Sequence, residues 1–297
     1  MSTLTTTSAT PTTGTSASPY HVTFPNVLRS EWIKFWTLRS TIWTIGTAIL
    51  MMAGFGFLTV FFTAQAIEQH IGADRGGPPA GILHDPSVIL VGSIMAQLAV
   101  AVLGVLVITG EYSTGMIRST LTAVPKRLPA LWAKALVLTV VTALTAVVAI
   151  ALSWLVTLPT MRANDAALDL GDAETQRILF GGVLYLVGIA LLAFAIGALL
   201  RHSAAALATV LGLLLVVENV FAAIPATFFR TVSPFLPSTA GQRITSTQAS
   251  IDQAREAAKA AGRTAAVLDP WQGYGVMMLW VVVLLAVAAV LLRRRDA

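Results

Sequence analysis

The chain has 297 residues, of which 56% are hydrophobic and only 11% charged, with a mean hydropathy of +0.78. Soluble domains carry about a quarter charged residues, so the composition excludes a water-soluble globular protein. Cysteine is absent, which removes disulfide frameworks, iron–sulfur clusters and thiolate metal sites.

Residues 1–25 are rich in Ser, Thr and Pro and carry no side-chain charge unless His21 is protonated. They have neither the basic start nor the apolar core of a signal peptide, and they read as a disordered cytoplasmic tail. Residues 26–40, NVLRSEWIKFWTLRS, predict an interfacial elbow helix lying on the membrane surface. Leu28, Trp32, Phe35 and Trp36 fall on one side, while Ser30, Lys34 and Thr37 face away. The same stretch also reads as the wet beginning of the first span.

Residues 41–292 predict a transmembrane domain of six spans, placed within 41–66, 87–109, 132–158, 178–200, 203–225 and 271–292. The criterion is physical: about 20 apolar residues rising 1.5 Å each cross a hydrocarbon core of roughly 30 Å. A basic cytoplasmic end, residues 293–297, follows. Arg29, Lys34, Arg39, Arg118, Lys126, Arg127, Lys134, Arg201 and Arg293 to Arg295 gather at one end of these spans, against only Glu31, Glu111 and Asp296. By the positive-inside rule that end, with both termini, is cytoplasmic. The net charge of +5 then follows from topology and requires no nucleic-acid partner.

On the opposite side, residues 67–86 predict an irregular Gly/Pro-rich loop and residues 159–177 a short acidic one. Residues 226–270 form the largest outward segment. Within it Thr245 and Gln248 resemble a capping box for a short helix through Ala261 that Gly262 ends. SPFLPSTAG, residues 233–241, has two readings: a surface loop, or a segment re-entering the bilayer, which requires burial in protein or a water-lined cavity.

No G-x-x-x-x-G-K-[ST], H-E-x-x-H or G-x-S-x-G string occurs. His21, His70, His84 and His202 lack metal-ligand spacing. The chain therefore does not read as an enzyme. A single acid, Glu218, lies in a span, where a charge costs roughly 2.5–3.5 kcal/mol. It reads either as part of a substrate pathway or dimer seam, or as a carboxyl snorkelling to the outer surface. Ala204, Ala208 and Gly212, four residues apart, permit close helix approach within or between subunits. Trp43, Trp132, Trp154 and Trp271 near span ends read as interface anchors.

The polar island GEYSTGMIRSTLTAVPKR, residues 110–127, lies between the second and third spans. It predicts a change of direction at Gly110 and a short helix after Gly115. Ile117, Leu121 and Val124 would share one face with Arg118 beside them, and Pro125 would stop the helix. Glu111 and Arg118 are placed to pair with each other or with a partner. A plain tether has no need of an apolar stripe, so the segment reads as a docking site.

RSEWIKFWTLRSTIWTI (29–45), residues 110–127 and FLPSTAGQ (235–242) together resemble a permease subunit of the ABC type-2 exporter family, of the kind common in high-GC Gram-positive bacteria. The resemblance runs over residues 26–292. It implies an all-α integral membrane protein with six transmembrane helices, an N-terminal interfacial helix and a short cytoplasmic coupling helix. It further implies a pair of permeases, identical or homologous, over two separate ABC ATPase subunits that bind ATP and Mg, leaving this chain without a cofactor. Carried over by residue, Glu111, Tyr112, Gly115, Ile117, Arg118, Leu121, Pro125 and Arg127 would form the ATPase-coupling segment. Trp32, Lys34, Trp36 and Arg39 would form the elbow. The implied function is ATP-driven export from the cell membrane by alternating access. An ion-coupled secondary transporter and a non-transporting sensor or anchor compete with it. The first would ordinarily place several ionisable groups near the midplane, where this chain has one off-centre glutamate.

Overall fold

The computed structural model describes residues 23–70, 80–116, 128–224, 226–260 and 266–294. Among these every regular element is helical and no strand occurs. Helix α1 spans Phe24–Thr37, following an extended Thr23 and carrying a proline in its first turn, where a missing N–H costs nothing. It ends at Leu38, which is extended (φ −84°, ψ 116°), and α2 (Arg39–His70) starts at the next residue. The elbow is thus a helix of its own and not the first turns of the span.

The remaining long helices are α3 (Ser93–Ser113), α4 (Leu128–Ala163), α5 (Ala173–Leu200) and α6 (Ser203–Ala223). After α6 come α7 (Thr227–Val232), α8 (Pro237–Gln242), α9 (Gln248–Ala260) and α10 (Pro270–Arg294). Six of these helices, α2 to α6 and α10, are long and apolar enough to cross a membrane. The chain is an all-α, multi-pass membrane protein.

Helices α2, α4, α5 and α10 outrun their uncharged stretches, because polar ends continue the helix past the hydrocarbon. Helix α4 is the clearest case: it begins at Leu128, holds Lys134 within it and continues through Pro159 to Ala163. The segment 159–177 accordingly shrinks to the turn 164–172. Helix α5 then opens on Asp172, whose carboxylate accepts the Thr175 amide at 2.9 Å. That hydrogen bond holds the Asp172 carboxyl below its ordinary pKa.

Helices α3 and α5 form the centre of the bundle. A Cβ added at Gly104 would overlap the Ala190 carbonyl, and one at Gly197 would meet Ile108 at 2.8 Å. Both glycines are therefore what allows the two backbones to approach. In the most apolar stretch of α3 and of α5, 67% of residues are buried, against 28% in α2, 22% in α6 and 28% in α10. The peripheral helices leave Leu50, Phe62, Val216 and Leu279 exposed.

The far-end segments are more ordered than expected. Residues 67–86 include the 3₁₀ turns Ala80–His84 and Pro86–Leu90, the latter starting on Asp85, which accepts the Ser87 amide at 2.8 Å. Leu83 is buried within this loop, and Val88, Ile89 and Leu90 are buried just after it, so its end is packed; its glycine-rich residues 71–79 lie outside the described ones. The expected capping box at Thr245 and Gln248 does not form, and the cap of the helix falls two residues later, on Thr247. Thr247 accepts the Ser250 amide at 3.4 Å at the head of α9, while Thr245 sits in a preceding 3₁₀ turn and donates to the Gln242 carbonyl. Gly262 lies outside the described residues.

Candidate functional site

Helix α1 packs against the start of α4 and beside α2. Its buried stripe is Val27, Glu31 and Phe35, at i, i+4 and i+8, so a carboxylate occupies the centre of an otherwise apolar contact. Trp32 and Trp36 lie outside that stripe, 38% and 44% exposed, with their rings edge to face at 6.0 Å. The expectation that Lys34 faces away is corrected: it turns inward, because two carboxylates lie within reach of its flexible stem.

Glu31, Lys34, Glu111 and Lys134 form one ion cluster. Lys134 Nζ donates to Glu31 Oε2 at 2.5 Å and to Glu111 Oε1 at 2.6 Å. Lys34 Nζ donates to Glu31 Oε1 at 2.9 Å and to Glu111 Oε1 at 3.2 Å. Glu31, Glu111 and Lys134 are buried and Lys34 is half-buried. Burial works against the Lys34 ammonium, but hydrogen bonding and attraction from Glu31, with Glu111 adding to both, lift its pKa above the ordinary lysine value. Removing one partner from a buried cluster strands charge and costs about 3–5 kcal/mol. The four residues tie α1, the end of α3 and the start of α4 together.

Beside the cluster lies a cavity of about 270 Å³, walled by α1, the start of α2, the last turns of α3 and the start of α4. Gly110 lines it and is helical: α3 runs on to Ser113, whose hydroxyl and that of Thr114 both donate to the Gly110 carbonyl. The change of direction falls instead at Gly115, with φ +72°, a conformation in which only glycine is unstrained. Tyr112 receives the Arg201 guanidinium 5.6 Å above its ring, linking α3 to the α5–α6 junction. Ile117, Arg118, Leu121, Pro125 and Arg127 lie outside the described residues, and with them the expected coupling helix and the Glu111–Arg118 pairing. Arg39 is exposed at the head of α2.

Glu218 defines a second site, at the opposite end of the bundle. It follows a π-helical turn, Gly212–Val217, and its carboxylate accepts the Ser238 amide at 2.8 Å, the Thr239 amide at 2.7 Å and the Thr239 hydroxyl at 2.8 Å. The snorkelling reading is corrected, since these donors turn the buried carboxylate inward onto the N-terminus of α8. Next to it the Tyr185 hydroxyl bonds to Gln97 Oε1 and lies 2.9 Å from Ser238 Oγ, while Gln242 donates to Tyr185 at 3.1 Å. Pro237, Ser238, Ala240 and Gly241 are buried in protein, and Trp280 of α10 donates to the Phe235 carbonyl. Residues 233–241 thus meet the condition for irregular backbone at membrane depth. Ala204 and Ala208 are exposed, and Gly212 has open space where a Cβ would be, so that stripe is not spent on packing within the chain.

Glu31 and Lys134 were not singled out from the sequence as site residues. Their signal was a lone acid at i+4 and i−4 from apolar α1 positions, and a lone lysine six residues inside α4. Among the described residues no cluster of His, Cys, Asp or Glu is suited to hold a metal. His202 instead accepts the Ala205 amide at the head of α6. No protein-family model and no curated protein matches the chain.

Proposed function

We propose that this chain is the membrane-spanning permease subunit of an ATP-driven ABC exporter in the cell membrane, with both termini cytoplasmic. The observation that carries the reading is the ion cluster. It joins the elbow helix to the two helices that border residues 114–127, the greater part of the stretch 110–127 expected to dock a soluble ATPase. A push on that stretch would move α1, α3 and α4 as one body, because separating them exposes unpaired charge in a poorly polarisable setting. Helix α3 packs on α5 along its length, which would carry the movement into the centre of the bundle.

In this reading ATP and Mg bind to two copies of a separate ABC ATPase, and this chain hydrolyses nothing. A second permease, identical or homologous, completes the pathway across the exposed faces of α2 and α6. The stripe of Ala204, Ala208 and Gly212 offers close approach there.

The test is reconstitution in liposomes with a candidate ABC ATPase. ATP hydrolysis should depend on complex formation, and Glu111→Gln or Arg118→Gln should weaken ATPase association or uncouple hydrolysis while membrane insertion stays normal. Solute movement driven by an ion gradient without nucleotide, or wild-type coupling in both variants, would overturn the proposal.

A further inference from the structure

The cavity beside the ion cluster has the shape and polarity of a lipid site. Its apolar wall is formed by Leu103, Leu106 and Val107 of α3 with Val137 of α4. Its polar lining is formed by Lys34, Ser40 and Ser113 with Glu31, Glu111 and Lys134 of the ion cluster. From Leu103 to Ser113 the wall runs ten residues, about 15 Å at 1.5 Å per residue. That is half of a hydrocarbon core of roughly 30 Å, the depth of one leaflet. A volume of about 270 Å³ falls just under the roughly 300–1,000 Å³ of sites for drug-sized ligands, which favours a single hydrocarbon chain over a bulky solute.

Charge at the rim selects the head group. Both carboxylates, Glu31 and Glu111, are buried and engaged by lysines, whereas Arg29 and Arg39 are exposed on either side of the elbow. The four charges that line the cavity balance, and Arg39, exposed between the lining residues Leu38 and Ser40, adds an uncompensated guanidinium beside its mouth. Trp32 and Trp36, exposed on the same helix, suit the head-group layer.

We infer that this cavity binds one anionic phospholipid of the adjacent leaflet, one of its two acyl chains along α3 and its phosphate toward Lys34 and the neighbouring Arg39. The inference stands apart from the transport reading, since a carrier or a sensor with this elbow would hold the same lipid. Occupancy would wedge the elbow against α3 beside the ion cluster, so the lipid would act as a structural component of that junction.

Native mass spectrometry of the detergent-purified chain, with added palmitoyl-oleoyl phosphatidylglycerol or phosphatidylcholine, tests it. The parent protein should retain one phosphatidylglycerol, preferred over phosphatidylcholine by on the order of tenfold. A Cβ at Gly110, which lines the cavity, would meet nothing within 4 Å, so Gly110→Phe enters the chamber from an open position, and it should abolish retention. Leu106→Trp fills the same space from another position and serves if Gly110→Phe is not monodisperse. Val283→Phe, on the exposed face of α10, should retain the lipid, and Arg39→Gln should retain it with the head-group preference reduced. No lipid on the parent, as expected if protein fills the chamber, overturns the inference. So does equal retention by the filled variants, or equal binding of the two lipids.

Discussion

At the elbow end, Glu31 and Glu111 face two ammonium groups; at the far end, Glu218 faces two peptide amides and a hydroxyl. The partners differ because the two sites join different things. The elbow cluster locks three separately folded helices, and only side chains that reach across from each helix can do so. The far-end site orients α8, six residues long, whose unsatisfied N-terminal amides already form an anion receptor. A full countercharge makes the first junction all-or-none. Shared neutral donors make the second graded, since each hydrogen bond carries part of the load.

The largest expected effect is at Lys134. Lys134→Met removes the one fully buried ammonium that bridges Glu31 and Glu111 among the described residues and should lower stability by about 3–5 kcal/mol, read as a fall in thermal midpoint in detergent. A midpoint near the parent's would show that the carboxylates find other partners. Adding Glu111→Leu to Lys134→Met should recover part of the loss, because the stranded charge goes with it.

Glu218→Gln should cost less, about 1–3 kcal/mol, because the amide keeps one acceptor oxygen but turns an NH₂ toward the α8 donors. Hydrogen exchange should rise at Ser238 and Thr239 while the α1–α4 contact stays protected. Uniform exchange across the chain would mean that the two ends are not independent.

Lys34→Gln should cost about 1 kcal/mol, since the half-exposed ammonium is partly screened by water. The Lys34 pKa is raised in the folded state, so its contribution is complete below the ordinary lysine value and lost as pH climbs through the raised one. From neutral to mildly alkaline pH, the gap between the parent and Lys34→Gln should hold constant, closing only in strong alkali. Smallest of all is Arg255→Ala: its bridges to Asp252 and Asp269 are exposed, and no measurable shift in the midpoint is expected.

Much of this fold was legible from hydropathy. The six spans, the separate elbow and the loop positions follow from where long apolar runs stop, because a bilayer penalises an unpaired backbone or a charge wherever it lies in the chain. Helix ends were less legible: α4 passes Pro159, and α3 passes Gly110 to turn at Gly115, since these helices continue beyond the apolar core. The site was half legible. Glu111 and Lys34 were marked by position, but Glu111 was matched with Arg118 and Lys34 was placed facing away, and Glu31 and Lys134 were read only as charges to be counted.

Sequence by itself determined that this protein lives in a membrane as a bundle of helices with a basic end, because transfer of each residue into hydrocarbon is nearly additive along the chain. Tertiary structure decided which charges meet. The partners in the elbow cluster lie as far as 103 residues apart, and Glu218 reaches 20 residues ahead to the Ser238 amide. Such pairings depend on the direction each helix turns and the depth at which it packs, and no local period records either.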